Sequence, residues 1–277
     1  MNIWIIGPGL SISPYKHLIE KLNDKTTMVV QKVFPHCISH LNLEPSYWTW
    51  FDPHGAVDGK RFLELNPNYP KIKTIIPSPL CRGEKDFHDS YPQGNSFLET
   101  KRDPNLNWNT YEEFLNNDQL DITWVESIIM AKLWFDKSPY REVKEYKPEW
   151  KELAKRLSED IEFRFKEFDK TVIGTHYSSF EENTISRSVL PICHKMGFKR
   201  VFILGFDGLP GRFYAKENPF KPGKIWKTSP YVGRFDNLHK WIEWIPYTDM
   251  EVYSVVPCPI DGHIPSLSFE RALEIDS

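Results

Sequence analysis

Three short stretches carry residue types and spacings that could do chemistry. Ile5-Ile6-Gly7-Pro8-Gly9-Leu10-Ser11 is an apolar run feeding a glycine turn. Glycines let a backbone approach a phosphate, and a following helix N-terminus offers free N–H groups and a positive dipole end. The plain alternative is a tight strand–helix connection. Asp52-Pro53-His54-Gly55 follows a Trp-rich run, where an α/β sheet binds ligands beyond its strand ends. Asp52 or His54 could hold a ribose or a base, or handle a proton; equally, Asp52 could cap a turn beside a solvated His54. Gly205-Phe206-Asp207-Gly208 closes another strand pattern. Asp207 could hold a hydroxyl-rich substrate, or pin its own turn by accepting loop N–H groups, which is the weightier reading. Arg212 and Tyr214 follow on a glycine- and proline-containing loop, and both side-chain types donate well to phosphate oxygens.

Other chemistries find little support. The turn is neither a full GxGxxG nor a P-loop, and Val29-Val30-Gln31-Lys32 puts no acidic residue where a dinucleotide ribose would need one. Nine histidines include no HxH or HExxH; His36 and His40 stand four apart without a third ligand in sequence, so no metal site is expected. Asp52 and Asp58 do not form a DxD pair. Ser178 and Ser179 near His176 lack the GxSxG elbow of a hydrolase.

The elements that must position these residues alternate strand and helix. Strands are expected at Ile3–Ile6, Thr27–Val33, Tyr47–Phe51, Lys73–Ile76, Thr171–Gly174, Arg200–Leu204 and Glu251–Val256. Helices are expected at Tyr15–Leu22, Asp121–Phe135, Pro148–Phe168, Ser186–His194 and Leu238–Ile245. Residues 81–117 read as a long polar loop with turn signals. The fold expected is therefore α/β, a Rossmann-like, mostly parallel sheet flanked by helices. One nucleotide-binding domain spans residues 1–277, with residues 81–168 as a lid-like helical and loop insertion.

Bulk properties bound the function. The chain has 277 residues, 40% hydrophobic and 26% charged, and its net charge of −3 exerts no general pull on polyanions. Aromatics reach 14%, ten of them Trp, so flat rings must line the core or a pocket. Cys37, Cys81, Cys193 and Cys258 lie far apart without metal spacing and read as reduced thiols. The apolar run that ends at Gly7 is too short for a signal segment, and no stretch approaches the roughly 20 apolar residues of a membrane span. A cytoplasmic location is expected.

In order along the chain, these pieces resemble the bacterial family 42 sialyltransferases and the wider group of glycosylation-associated and 6-hydroxymethylpterin diphosphokinase-like proteins. The opening Gly7-Pro8-Gly9-Leu10-Ser11 is similar to the family's GxGxS turn. Gln31 stands where the family carries an Asn, and Asp52-Pro53-His54 resembles its Thr-Pro-Asn segment beside the nucleotide. Thr184-Ile185-Ser186 resembles a Thr-Ser-Gly helix start, and the block from Met196 to Asp207 resembles the strand that ends in Gly-Ile-Asp. Tyr214-Ala215 is similar to the segment of a phosphate-holding tyrosine. Ser229-Pro230-Tyr231-Val232-Gly233 resembles the segment before the last helix, and Pro257-Cys258-Pro259 the motif after the last strand. Pro230 stands where the family carries its general-base His, and Leu209 where it carries a second tyrosine.

The resemblance implies a metal-independent glycosyltransferase using a nucleotide sugar, CMP-linked by analogy, with no other cofactor. It implies a nucleotide seat of Gly7, Pro8, Gly9, Ser11, Gln31, Asp52, Thr184, Ser186, Arg212, Tyr214 and Tyr231. For catalysis the candidates are His54, His176 and Asp207, with His88 a further possible base. The acceptor is unspecified, the charge favouring a glycan over a nucleic acid, and a homo-oligomer stays open. Two rivals remain: a diphosphokinase-like phosphotransferase, for which Asp52 and Asp207 are the obvious Mg²⁺ carboxylates, and a non-catalytic nucleotide-binding protein.

Overall fold

The computed structural model describes residues 1–50, 53–76, 108–124, 184–206, 213, 245–255 and 264–277. Among these the chain forms one eight-stranded sheet in which every pairing is parallel. The strands are β1 Asn2–Ile6, β2 Thr27–Val30, β3 Tyr47–Thr49, β4 Ile72–Ile76, β5 Leu120–Trp124, β6 Arg200–Leu204, β7 Glu251–Val255 and β8 Ser266–Leu267. Their spatial order is β5-β4-β3-β2-β1-β6-β7-β8. This is the α/β, Rossmann-like architecture expected. Chain order runs outward in both directions from β1, so the sheet reverses its winding between β1 and β6.

Central strands are apolar because both their faces are covered. Ile3, Trp4, Ile5 and Ile6 are all buried, as are Thr27 to Val30 and Val201 to Leu204. Trp4 stacks on Phe202 of the neighbouring β6 at 4.5 Å and meets Phe269 at 5.5 Å. Strand β5 lies at the edge and alternates instead: Leu120 is buried, Asp121 exposed, Ile122 half-buried and Thr123 exposed. That period of two overturns the helix expected over Asp121–Phe135, at least through Trp124. The helical spacing of Trp124 and Ile128 had masked a short edge strand.

Helices α1 Lys16–Ile19, α2 Val33–Leu41, α3 Pro53–Leu65, α4 Trp108–Leu115, α5 Thr184–Lys195 and α6 Phe269–Ile275 connect and cover the strands. The helix expected at Tyr15–Leu22 is only four residues of α-helix between 3-10 segments at Leu10–Tyr15 and Glu20–Asp24. Its face was read correctly, since Ile19 and Leu22 are buried and Leu18 half-buried. Strand β2 stops at Val30, not Val33, because Gln31 turns left-handed at φ 54 and α2 begins at Val33.

Helix α3 was not expected at all. Pro53 suits a first helical turn, but Gly55 and Gly59 lower helix propensity by roughly 1 kcal/mol each. Here they serve packing: a Cβ on Gly55 would collide with the Gln31 amide and one on Gly59 with the Trp48 ring. Helix α4 lies within the span expected to be loop. Its Tyr111 and Phe114 are buried, and Tyr111 Oη accepts from Trp50 Nε1 at 2.8 Å. Strand β8 and helix α6 were likewise unforeseen. Helix α5 and strands β6 and β7 stand within two residues of expectation, whereas the elements expected at Pro148–Phe168 and Thr171–Gly174, and residues 238–244, fall outside the described residues.

Trp48 and Trp50 explain part of the aromatic content. Trp48 stacks on Phe34 at 4.5 Å, touches Trp50 at 4.3 Å, and donates its Nε1–H to the Gln31 carbonyl at 2.7 Å. Among the described residues no helix is long and apolar enough to cross a membrane.

Candidate functional site

In an open parallel sheet the connections from two neighbouring strands leave toward opposite faces where the winding reverses, and the crevice outside their carboxyl ends is the natural ligand seat. Here that point lies between β1 and β6, whose register aligns Ile6 with Leu204. Gly7-Pro8-Gly9 leaves one strand and Gly205-Phe206 the other. The two turns are locked together: Gly7 N–H donates to the Leu204 carbonyl at 2.8 Å, and Gly9 N–H to the Gly205 carbonyl at 2.8 Å. Phe213, downstream of β6, donates its N–H to the Pro8 carbonyl at 3.1 Å and is buried.

Glycine is required here by close approach. A Cβ on Gly7 would sit 2.5 Å from the Gly205 carbonyl oxygen and 3.0 Å from the Phe206 ring. Gly205 has φ +70, and its Cβ would meet Gly7 O at 2.6 Å and Ile12 Cδ1 at 2.5 Å. The two turns, read separately from sequence, are thus one structure. Their amides differ from expectation: Gly7 and Gly9 spend their N–H groups on β6, and the segment that follows is a six-residue 3-10 helix rather than an α-helix presenting an open N-terminus. Ser11 is half-buried beyond them.

The adjacent strand ends extend this rim. Gln31, one residue past β2, donates its N–H to the Thr49 carbonyl of β3 at 2.7 Å. Its positive φ is unusual for a residue with a side chain, and that side chain lies against Gly55 in the first turns of α3. Helix α3 therefore carries His54 at the carboxyl end of β3, four residues before Asp58. Thr184 and Ser186 open α5, the helix that leads into β6. Asp52, His176, Asp207, Arg212, Tyr214 and Tyr231 lie outside the described residues.

Beneath the rim sits a polar pair that sequence reasoning set aside. His36, on α2, and Asp58, on α3, are completely buried, with His36 Nε2 at hydrogen-bond distance, 3.2 Å, from Asp58 Oδ2. The His40 ring stands one turn along α2, 5.8 Å from His36, and meets the Phe213 ring edge-on at 6.5 Å. The four-residue spacing of His36 and His40 was visible, but their partner on another helix was not. Among the described residues no group of three His, Cys, Asp or Glu side chains could hold a metal ion. Cys37 and Cys193 are free thiols, and burial raises the pKa of both.

No family model matches the chain, and no curated protein matches it. Among solved structures, the chain is similar to the sialyltransferase CstII from Campylobacter jejuni in complex with a substrate analogue, CMP-3FNeuAc. The likeness covers 96% of this chain and 85% of that one, at 11% identity and a TM-score of 0.33. A likeness this faint carries no argument about the site, whose case is its own geometry.

Proposed function

We propose that the chain is a metal-independent glycosyltransferase that seats a nucleotide sugar, CMP-linked, at the β1/β6 crevice and passes its sugar to an acceptor hydroxyl. One observation carries the reading: the Gly7–Gly9 and Gly205–Phe206 turns lie side by side at the carboxyl ends of β1 and β6, the point of winding reversal where sheets of this class seat their ligands. The sequence resemblance then supplies the ligand class.

The chemistry asked of the site is limited. The acceptor oxygen attacks the anomeric carbon as its proton passes to a base, and the bond to the nucleotide phosphate breaks with its electron pair going to the phosphate. The developing charge needs preorganised donors. Since the Gly7 and Gly9 amides already serve β6, this falls to side chains: Arg212, Tyr214 and Ser11, with Tyr231, Thr184 and Ser186 completing the seat. Gln31 and Asp52 are assigned to the nucleoside. His54 and His176 are the candidate bases, and Asp207 is assigned to the acceptor or sugar hydroxyls.

Calorimetry against CMP, CDP, UDP, GDP and ATP, with and without Mg²⁺, tests the reading. Metal-free binding of one nucleotide is expected. No binding at millimolar concentrations would sink it, and Mg²⁺-dependent binding of ATP alone would move the assignment to phosphotransfer. Pro230, in the place of the family's base, favours a binding protein without turnover as the second reading. Slow hydrolysis of a bound nucleotide sugar would exclude that alternative.

A further inference from the structure

Asp58, His36, His40 and Phe213 form an unbroken series of contacts from helix α3, through α2, to a buried residue downstream of β6. It begins with the Asp58–His36 pair at 3.2 Å, both side chains fully buried. It continues through the His36 and His40 rings, 5.8 Å apart, to the Phe213 ring, 6.5 Å from His40 at an interplanar angle of 80°. Phe213 then donates its N–H to Pro8, in the middle of the glycine turn, at 3.1 Å. Helix α3 also carries Gly55, against which Gln31 packs.

We propose that this series is a positioning device: the buried Asp58–His36 pair orients α2 so that His40 seats Phe213 on Pro8, and thereby sets the shape of the Gly7–Gly9 turn. A buried His–carboxylate pair suits this task. Leaving either partner alone in an apolar interior is costly, so the pair admits few arrangements of the two helices. An edge-on ring contact is likewise directional. Among the described residues the backbone bonds of the turn run to Leu204, Gly205 and Phe213, and from Ile12 N–H to the Gly9 carbonyl at 3.5 Å, so a rigid support beneath Phe213 helps to hold it. The ligand consequence rests on the nucleotide reading above; the structural coupling does not.

The experiment is peptide-level hydrogen exchange on the unliganded protein, paired with nucleotide calorimetry. His40→Ala and Phe213→Ala should speed exchange of the peptide spanning residues 7–12 about tenfold, because the turn opens more often once its support is lost. His40→Phe and Phe213→Tyr keep a ring at each place and should restore protection. Asp276→Asn, which removes the charge from the bonds that Asn2 and Trp4 of β1 donate to it, is the control for general destabilisation and should leave that peptide unchanged. If wild-type protein binds a nucleotide, His40→Ala should weaken it about tenfold and His40→Phe should recover it. Unchanged exchange in both alanine variants, or equal acceleration in Asp276→Asn, overturns the proposal. Altered exchange in a protein that binds no nucleotide keeps the coupling and removes only the function.

Discussion

Gly7 and Gly205 lie 198 positions apart in sequence, yet neither can carry a side chain because of the other. The Gly7 carbonyl oxygen would be 2.6 Å from a Cβ on Gly205, and the Gly205 carbonyl oxygen 2.5 Å from a Cβ on Gly7. Their mutual approach closes the base of the crevice between β1 and β6. It also separates two costs that a glycine substitution usually mixes.

Gly205→Ala incurs a left-handed backbone and two collisions, with Gly7 O and Ile12 Cδ1. Gly197 has a similar φ of +79 and nothing within 4 Å of its Cβ position. Urea unfolding should find Gly197→Ala destabilised by about 1 kcal/mol, the backbone cost alone. Gly205→Ala should lose about 3 kcal/mol, the excess being steric. Equal losses would mean that the two turns do not touch.

Gly59→Ala reverses an ordinary expectation. In a helix interior this change stabilises by roughly 1 kcal/mol. On α3 the new methyl group would strike the Trp48 ring, which also packs against Phe34 and Trp50. The variant should be less stable by about 1–3 kcal/mol and show altered tryptophan fluorescence. A rise in the unfolding midpoint would refute the packing of α3 against β3.

Asp58→Leu takes the carboxylate away from the buried His36 and should cost about 3–5 kcal/mol. Replacing both with Leu should cost less than that single change, since neither member of the pair is then left facing an apolar replacement. A double-mutant cycle in urea would show a coupling of more than 1 kcal/mol. Additivity would show that the pair contributes nothing as a pair.

Cys37 and Cys193 should be silent toward an aromatic disulfide reagent until the protein unfolds. Burial raises both thiols above their ordinary value of 9.0, so the native protein keeps both protons. The unfolded chain binds fewer protons above pH 9, and stability therefore falls as pH rises beyond that value. Below it, the contribution is fully present and flat. With Cys81 and Cys258 changed to Ser, rapid labelling of the native protein at pH 8 would contradict the burial.

Asp276, which follows α6, ties that helix to β1. Its carboxylate accepts from Asn2 Nδ2 and Trp4 Nε1, each at 2.8 Å, and its Oδ2 pairs with Lys25 at 3.5 Å. Removing residues 276–277 should cost about 1.5–3 kcal/mol, the range for hydrogen bonds to a charged group. Asp276→Asn should recover part of that by keeping an oxygen acceptor. A truncated chain of undiminished stability would make these contacts incidental.

Much of the sheet was legible because its signals are local. The apolar runs ending at Gly7 and Gly205 announce strands buried on both faces, and Met196-Gly197 announces the stop after α5. Helices α3 and α4 were hidden for the same reason. Gly55 and Gly59 argue against a helix when judged alone, and Trp108–Leu115 is short and flanked by turn residues. The candidate site was visible as two glycine turns and one polar tetrapeptide, each with a structural explanation at least as good as the functional one. Asp58 gave no sign of its role, since nothing near it in sequence needs a carboxylate.

The chain's own residues determined where six of the eight strands lie, that the sheet would be mostly parallel, and which turns carry glycine, because periodicity and backbone freedom are properties of neighbouring residues. Only the tertiary structure decided that β1 lies beside β6, and hence that Gly7 meets Gly205, His36 finds Asp58, and Trp4 reaches Asp276. Strand order is set by burying all the apolar faces at once, a sum over the whole sheet that no local window of sequence contains.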